Sequence, residues 1–295
     1  MSSVLSRRQF TCLAGAGLAL GLARPFVRPA RAASDLDALL AGIETRFSGC
    51  LGAFVIDMAT ERRWGRRADE RFPMCSTFKL IAAAGVLSRV DAGEETLARR
   101  VVLKPEDIVT YSPVTEKRVG GEGMTMAEIC EAALTQSDNT AGNVLIDTLG
   151  GPAGVTAFAR SIDDDIFRLD RRETELNEAK PGDPRDTTSP AAMAKSLAAL
   201  VQGDALSEGS RRQLTEWLVA NRTGDAKLRA GLPKTWRIGD KTGGGAFGTM
   251  NDVAAIWPEP KRPPIIVSLY LTQTEASFDD RNAAFAEIGR ALAVL

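Results

Sequence analysis

The chain has 295 residues, of which 44% are hydrophobic and 25% charged, as is ordinary for a globular protein. It contains no histidine, which excludes nucleophiles activated by histidine and zinc sites ligated by histidine. Any acid–base chemistry must therefore use Lys, Glu, Asp, Tyr or Ser. No apolar run reaches the roughly 18 residues needed to span a bilayer.

Residues 1–32 differ from the rest, with five arginines and no acidic residue. Arg7 and Arg8 form a twin-arginine pair, the apolar stretch Cys12–Leu22 follows, and Ala30–Ala32 offers a cleavage pattern of small residues. We predict a twin-arginine-type signal peptide over 1–32 and a periplasmic or secreted location. A membrane anchor or an unstructured tail is the alternative.

Removal of this leader would leave residues 33–295, in which 32 basic residues oppose 38 acidic ones, for a net charge of −6. That balance argues against nucleic acid or an anionic membrane as partner, so we expect a monomer without stable membrane association. Cys50, Cys75 and Cys130 remain, and this odd number is not a disulfide scaffold. A chain of this length can bury enough core without one.

The hydrophobic pattern predicts the following elements in chain order. Asp35–Phe47 is a helix, and Leu51–Met58 is a strand that can pair with Arg62–Arg67. Residues 76–203 are mostly helical, with Gly- and Pro-rich turns. Three further strands and a closing helix are predicted at Trp236–Lys241, Val253–Trp257, Ile265–Thr272 and Asp279–Leu295.

Two strands near the start and three near the end predict one five-stranded antiparallel sheet built from both termini and flanked by helices. This is an α+β fold of the α/β/α sandwich type. Residues of about 74–210 would form an inserted all-helical lobe within a catalytic domain that spans 33–295. An active site is expected in the cleft between the lobe and the sheet.

The first candidate for chemistry is the S-x-x-K motif of Ser76 and Lys79. Residues three apart share one face of a helix, so the lysine amine can reach the serine hydroxyl and act as its base. The alternative is a helix-capping serine followed by a solvated lysine. The apolar run Leu80–Ala84 is unsuited to an exposed helix and places the motif at the start of a buried one.

Two other short motifs follow, Ser137-Asp138-Asn139 and Lys241-Thr242-Gly243. Taken alone, the first is typical of a helix cap and the second of an edge-strand lysine before a turn. A phosphate loop at Gly239–Thr242 is excluded, because non-glycine residues stand where that motif requires glycine.

The order S-x-x-K, S-D-N, K-T-G resembles the class A serine β-lactamases, over essentially the whole chain after the leader. Four more stretches are similar to that family. They are the E-x-x-L-N motif Glu173–Asn177, the wall segment Tyr111–Thr115, the loop end Arg185–Thr188 and the segment Asn221–Asp225 before the K-T-G strand. In that family, the residues at the positions of Arg171 and Asp186 form a salt bridge with each other.

The resemblance implies that Ser76 attacks the lactam carbonyl and that either Lys79 or Glu173, through a water, takes its proton. Ser137 would relay a proton to the departing lactam nitrogen. Glu173 and Asn177 would hold the water that later cleaves the acyl-enzyme.

The resemblance also implies the substrate contacts. Backbone N–H groups of Ser76 and Gly244 would form the oxyanion hole. Lys241 and Thr242 would supply a charge and a hydroxyl for the substrate carboxylate, with Gly243 beside them.

Three more residues are assigned to the substrate. Asn139 would bind its side-chain amide, and Tyr111 would wall the site. Ala246–Asp252 lacks the arginine that many family members place there, so Lys227 is the expected partner of the carboxylate, with Arg229 as the alternative. No metal or cofactor is needed.

Cysteine usage departs from two family patterns. Some members bond the residue matching Cys130 to a cysteine where Ala83 stands here, and others bond the one matching Cys75 to a position occupied here by Gly245. We therefore expect neither bond. Cys50 and Cys130 are expected to be buried small hydrophobes, with Cys75 at the back of the site.

The leading hypothesis is hydrolysis of penicillin- and cephalosporin-type antibiotics, with resistance as the outcome. The intermediate would be a Ser76 acyl-enzyme deacylated by a Glu173-activated water. A D-Ala-D-Ala carboxypeptidase or penicillin-binding protein is the second, and a non-catalytic β-lactam sensor the third. The transpeptidases lack the E-x-x-L-N loop, and a sensor usually sits beside a transmembrane segment.

Overall fold

The structure, a computed structural model, describes residues 29–295, with side chains from Asp35 onward. The predicted signal peptide lies almost wholly outside these residues. The strands are β1 Cys50–Asp57, β2 Arg63–Arg66, β3 Phe72–Pro73, β4 Arg100–Val101, β5 Met124–Thr125, β6 Thr187–Thr188, β7 Arg237–Gly244, β8 Met250–Trp257 and β9 Ile265–Thr272.

The α-helices are α1 Pro29–Phe47, α2 Phe78–Asp91, α3 Met126–Thr135, α4 Asn139–Thr148, α5 Pro152–Ser161, α6 Pro190–Gln202, α7 Glu208–Val219, α8 Leu228–Gly231 and α9 Phe278–Leu292. Short 3-10 turns occur at Cys75–Thr77, Pro105–Asp107, Thr115–Arg118 and Glu175–Glu178. No helix within 29–295 is both long and apolar enough to cross a membrane.

The main sheet has the order β2-β1-β9-β8-β7, and every neighbouring pair is antiparallel. The N-terminal β1 lies beside the C-terminal β9, with Cys50 opposite Thr272. The prediction of a five-stranded antiparallel sheet built from both termini is therefore confirmed.

The hairpin of β7 and β8 is longer than the hydrophobic pattern predicts. Strand β7 continues from Lys241 to Gly244, and β8 begins at Met250, three residues before Val253. Gly244 pairs with Met250 at the end of this extension. Glycines weaken the strand signal, which is why the extension was not visible in the sequence.

Alternate residues of β9 enter two different hydrophobic cores, as the two-residue repeat of a strand requires. Val267 and Leu269 face the layer of α1 and α9. Ile266 and Tyr270 face the opposite layer, in which α6 packs on β1, β8 and β9. Helices thus cover both faces of the sheet, which is the α/β/α sandwich expected.

Helix α2 is the central helix beyond that second layer. Most of its length is buried, and it contacts α3, α4, α5 and α7. The 3-10 turn Cys75–Thr77 leads into it and touches β7 and β8. The start of α2 therefore lies where the helical lobe meets the sheet.

Candidate active site

Ser76 lies in the 3-10 turn before α2, and Lys79 lies one turn further on, so their side chains share a face. The Lys79 Nζ donates to the Ser76 Oγ at 2.9 Å. The same amine donates to the backbone oxygen of Ser137 at 2.8 Å and to the Asn139 Oδ1 at 2.7 Å. The expected pairing of serine and lysine is present, and the S-D-N motif is part of the same network.

Burial lowers the pKa of Lys79, and the nearby Glu173 carboxylate opposes that shift. The side chain of Lys79 is fully buried, which requires α4 to come very close. A Cβ at Gly142 would stand 2.6 Å from the Lys79 Cε, so only glycine leaves room for the lysine stem. No motif in the sequence marks Gly142, which lies in an otherwise ordinary helix.

Glu173 completes this cluster from a separate loop. Its Oε1 lies 3.2 Å from the Ser76 Oγ and 2.9 Å from the Lys79 Nζ, and its side chain has no exposed surface. Asn177 donates from Nδ2 to the Glu173 Oε2 at 2.5 Å. We call Ser76, Lys79 and Glu173 the catalytic cluster.

Asn177 is placed to hold more than the carboxylate. Its Oδ1 is buried and has no hydrogen-bond partner among the described residues. An unpaired buried acceptor is costly unless a ligand or water satisfies it. This oxygen therefore provides an acceptor for a water next to Glu173.

Asn143 fixes the backbone of Glu173, a role that the sequence analysis did not find. Its Nδ2 donates to the Glu173 carbonyl at 3.0 Å, and its Oδ1 accepts from the Glu173 N–H at 2.9 Å. Asn143 stands four residues after Asn139 on α4, and this spacing on one helix face is the signal that could have revealed it.

The loop that carries Glu173 is closed by the expected pair of Arg171 and Asp186. The Arg171 Nε lies 2.6 Å from the Asp186 Oδ2. The Asp186 Oδ1 also accepts backbone N–H groups of Asp170 and Arg171 at 2.8 Å. The Met74 N–H donates to the Asp186 carbonyl at 2.9 Å, which ties the loop to the turn bearing Ser76.

Ser137 and Lys241 meet across the cleft. The Lys241 Nζ donates to the Ser137 Oγ at 2.9 Å and to the Thr242 carbonyl at 2.8 Å. Burial lowers the pKa of Lys241 well below its usual range, and the positive charge of Lys79 adds to that effect. Asn139 donates from Nδ2 to the Thr110 carbonyl at 2.8 Å, so both of its polar atoms have protein partners.

The K-T-G motif runs along β7 against the turn that holds Ser76. A Cβ at Gly243 would stand 2.7 Å from the Met74 carbonyl oxygen, so this contact needs glycine. The Thr242 Oγ1 lies 2.5 Å from the Thr223 Oγ1. The strand therefore presents Thr242 and Gly244 to the cleft from the side opposite Glu173.

A cavity of about 650 Å³ opens in front of these groups. Predicted residues that line it are Ser76, Tyr111, Ser137, Asn139, Asn177, Lys227, Thr242, Gly243 and Gly244. Tyr111 stands at the mouth and is 58% exposed. Lys79, Glu173 and Lys241 are buried behind the lining.

The cavity also receives two side chains that the sequence did not reveal. Phe278 and Arg281 reach it from the first turn of α9. Their positions depend on how α9 packs against the sheet, and no local motif announces that packing. Arg222 and Thr223, which lie in the family-like segment Asn221–Asp225, line the cavity as well.

The structure separates the two candidates for the basic residue. Lys227 is 5% exposed, donates to the Thr223 carbonyl at 3.2 Å and lines the cavity. Burial lowers its pKa, and the Asp252 carboxylate opposes that shift. Arg229 instead forms an ion pair with the buried Asp240 and is absent from the lining.

The cysteines Cys50, Cys75 and Cys130 are all free. Cys130 is buried as expected, whereas Cys50 is only half-buried because it begins β1, ahead of the residues that pair with β2. Cys75 is buried behind Gly245, where a Cβ would stand 2.7 Å from its sulfur. Burial raises the pKa of the Cys75 thiol, and the Glu173 charge raises it further.

No group of three or more potential metal ligands comes together within the part of the chain that the structure describes.

Comparisons with known proteins agree with this geometry. The model of the β-lactamase enzyme family matches residues 31–294. The β-lactamase CTX-M-8 of Citrobacter amalonaticus is 51% identical over 254 residues, which are 86% of this chain and 87% of that one. The β-lactamase L2 of Stenotrophomonas maltophilia is 44% identical over 97% of this chain and 98% of its own.

Solved structures give the same result. An ancestral class A β-lactamase is 61% identical with a TM-score of 0.85, covering 87% of this chain and 98% of that one. The class A enzyme PenP from Rhodopseudomonas palustris, described as putative, is 56% identical with a TM-score of 0.85, covering 88% and 98%. The chain therefore belongs to the β-lactamase enzyme family, as a class A serine enzyme that hydrolyses β-lactams.

Proposed function

We propose that the catalytic cluster opens the β-lactam ring through a covalent ester on Ser76. The Ser76 oxygen bonds to the lactam carbonyl carbon, the carbon–nitrogen bond breaks, and the serine proton passes to Lys79 or Glu173. Both candidate bases lie within hydrogen-bond distance of the Ser76 oxygen, at 2.9 and 3.2 Å. The backbone N–H groups of Ser76 and Gly244 stabilise the carbonyl oxygen as it becomes negative.

Ser137 delivers the proton that the departing nitrogen needs. The Lys241 ammonium donates to the Ser137 oxygen at 2.9 Å, which leaves the serine's own hydrogen free to point into the cavity. Ser137 thus gives its proton to the nitrogen and recovers one from the Lys241 ammonium. The proton that Lys79 or Glu173 took from Ser76 then replaces the one that Lys241 gave up, so that one proton in total moves from Ser76 to the nitrogen.

The substrate carboxylate is held by Lys241, Thr242 and Lys227, on the side of the cavity opposite Glu173. The Thr242 hydroxyl faces the cavity and contacts the Thr223 hydroxyl. The Lys227 amine donates to the carbonyl of the same threonine, which places it near Thr242. Asn139 lines the cavity and uses one of its two amide hydrogens to bind the Thr110 carbonyl. The other hydrogen can bind the substrate's side-chain amide. Gly243 and Tyr111 shape the walls.

The observation that carries the hydrolytic function is the position of Glu173. Its carboxylate lies beside both the Ser76 oxygen and the unpaired Asn177 oxygen. A water held between these two residues is next to the acyl carbonyl. Glu173 takes its proton as the water oxygen attacks, the ester bond breaks and Ser76 is regenerated. An enzyme without this carboxylate would stop at the acyl-enzyme.

The test is the variant Glu173→Gln mixed with benzylpenicillin. General-base assistance is worth about 10²- to 10⁴-fold in rate, so product release should slow by that factor. Mass spectrometry should show the protein plus one drug mass persisting for minutes or longer, and Ser76→Ala should show no adduct.

Glu175→Gln is the matched control, because Glu175 stands on the same loop but is exposed and lies outside the active-site cavity. It should keep the wild-type rate and accumulate no adduct. If Glu173→Gln turned over at the wild-type rate, another residue would drive deacylation and the assignment of this loop would be wrong.

We further propose export by the twin-arginine route to the periplasm or the medium, as a monomer. The support is the Arg7–Arg8 pair ahead of a weakly apolar stretch. Replacing both arginines with lysine should leave the activity in the cytoplasm, and unchanged export would assign the leader to another pathway. Light scattering of the mature chain tests the monomer.

A further inference from the structure

The outer end of the cavity carries three cationic side chains, Arg222, Lys227 and Arg281, which we call the cationic rim. No aspartate or glutamate lines the cavity, and none of the three forms an ion pair with a described residue. Elsewhere arginines commonly face carboxylates, as Arg171 and Arg172 do. The Asp252 and Asp240 carboxylates behind Lys227 offset only part of this charge, and a group of like charges inside a cavity attracts anions.

Arg281 is a half-buried member of the rim, and most of its hydrogen-bonding capacity is unused. Its Nε donates to the Ser277 carbonyl at 3.2 Å, and its two terminal nitrogens have no partner among the described residues. Its guanidinium carbon lies 5.8 Å from the centre of the Phe278 ring. The half-buried guanidinium can therefore present two parallel N–H donors to a ligand.

Lys227 and Arg281 both lie against the Phe278 ring. The Lys227 Nζ lies 5.2 Å from the Phe278 ring centre, and the positive charge of Arg281 adds to burial in lowering the Lys227 pKa. The two cations therefore repel each other in the empty site. An anion bound at the rim would relieve that repulsion.

Lys227 borders the place assigned to the substrate carboxylate, and Arg281 lies beyond it. Thr242 contacts Thr223, whose carbonyl accepts from Lys227, and Phe278 and then Arg281 follow outward. In a cephalosporin, the C3 substituent is attached to the carbon next to the one that bears the carboxylate. A carboxylate held at Thr242 thus directs the C3 substituent toward the rim.

We propose that the cationic rim is a second anion subsite, with Arg281 as its specificity-determining residue, and that the enzyme favours cephalosporins with a negatively charged C3 substituent. The exposed Phe278 ring beside Arg281 offers a flat apolar surface to substituents that contain a ring. This inference rests on the proposed function, because the carboxylate position comes from it.

The test compares Arg281→Gln with the wild type on cephalosporins that share one aminothiazolyl-methoxyimino acyl group. Cefotaxime has a neutral C3 substituent, ceftriaxone an anionic triazinone and cefepime a cationic pyrrolidinium. The ratio of variant to wild-type kcat/KM cancels the intrinsic reactivity of each compound. We expect this ratio to be about one tenth for ceftriaxone, near one for cefotaxime and above one for cefepime.

Arg290→Gln is the matched control, since Arg290 is an exposed arginine on α9 outside the cavity. It removes the same charge and should leave all three ratios near one. Raising the salt concentration should shrink the ceftriaxone effect of Arg281→Gln. Where turnover is slow, inhibition constants against benzylpenicillin hydrolysis give the same comparison.

Equal ratios for the three compounds in Arg281→Gln would overturn the subsite, whether all fell or none did. The same pattern in Arg290→Gln would also overturn it, because the effect would then come from net charge. Benzylpenicillin turnover and the Ser76 adduct are measured in parallel. Absence of wild-type benzylpenicillin turnover, or of the adduct in Glu173→Gln, would contradict the proposed function, whereas the presence of both with equal ratios contradicts the subsite alone.

Discussion

The two ends of one cavity are built on opposite principles. At the inner end, Lys79 and Glu173 are fully buried and pair with each other at 2.9 Å, while Ser76 contacts both. At the outer end, Lys227 and Arg281 have no carboxylate partner in the cavity lining. The inner groups are positioned before any substrate arrives, as proton transfer requires. The outer groups keep capacity for a ligand, as recognition requires.

The strongest test of the inner end is Lys79→Met. Loss of a candidate base should lower kcat/KM by about 10²- to 10⁴-fold. It should also lower the free energy of unfolding by about 3 kcal/mol, because Glu173 would remain buried without its partner. Urea denaturation and nitrocefin hydrolysis measure the two effects.

The double variant Lys79→Met/Glu173→Gln supplies the control for that stability effect. With both charges removed, most of the lost stability should return although the enzyme stays inactive. Strictly additive losses would show that the two residues are not coupled, and the description of the inner end as one paired network would be wrong.

Motifs predicted the inner end better than the outer end, for a physical reason. Ser76 and Lys79 are neighbours because a helix places residues three apart on one face, which sequence spacing reveals. Arg281 reaches the cavity because α9 packs across a sheet whose strands come from both ends of the chain. Such a contact depends on tertiary structure and leaves no local pattern.

The fold shows the same difference between features that a local pattern predicts and features that depend on tertiary contacts. The prediction of the strand Ile265–Thr272 is correct to the residue, because β-branched, aliphatic and aromatic side chains fill all of it except Ser268. The extension of β7 to Gly244 was missed, although it forms part of the active site. Gly142 and Gly243 are needed for close contacts, and a glycine in a sequence does not show what it approaches.

The outer end is tested next by Lys227→Ala and Arg229→Ala. Lys227→Ala should raise KM about tenfold with a smaller change in kcat, because a charge-assisted contact to the carboxylate is lost. Arg229→Ala should leave KM nearly unchanged but lower the free energy of unfolding by about 3 kcal/mol, because Asp240 would be buried without its partner. Steady-state kinetics and urea denaturation separate the two variants. The reverse ranking in KM would transfer the anchoring role to Arg229.

The smallest expected effect concerns the pH dependence of the outer end. Burial lowers the pKa of Lys227, and the charge of Arg281 lowers it further against the attraction of Asp252 and Asp240. As the pH rises through that lowered pKa, the ammonium loses its proton and its hold on the carboxylate, so kcat/KM falls on the alkaline side. Arg281→Gln removes the repelling charge and should raise the Lys227 pKa. The alkaline limb, which is the fall of kcat/KM for cefotaxime at high pH, should then move upward by a few tenths of a pH unit.

Lys227→Arg identifies the group that this limb reports, because a guanidinium stays charged throughout the accessible range. The limb should move beyond about pH 10 in that variant, and adding Arg281→Gln should then have no further effect on it. Arg290→Gln should leave the wild-type limb in place. A limb that persists unchanged in Lys227→Arg would belong to Lys79 or Lys241, whose pKa values burial also lowers. In that case the titrating group would lie at the inner end, and the two ends would not be electrostatically separate.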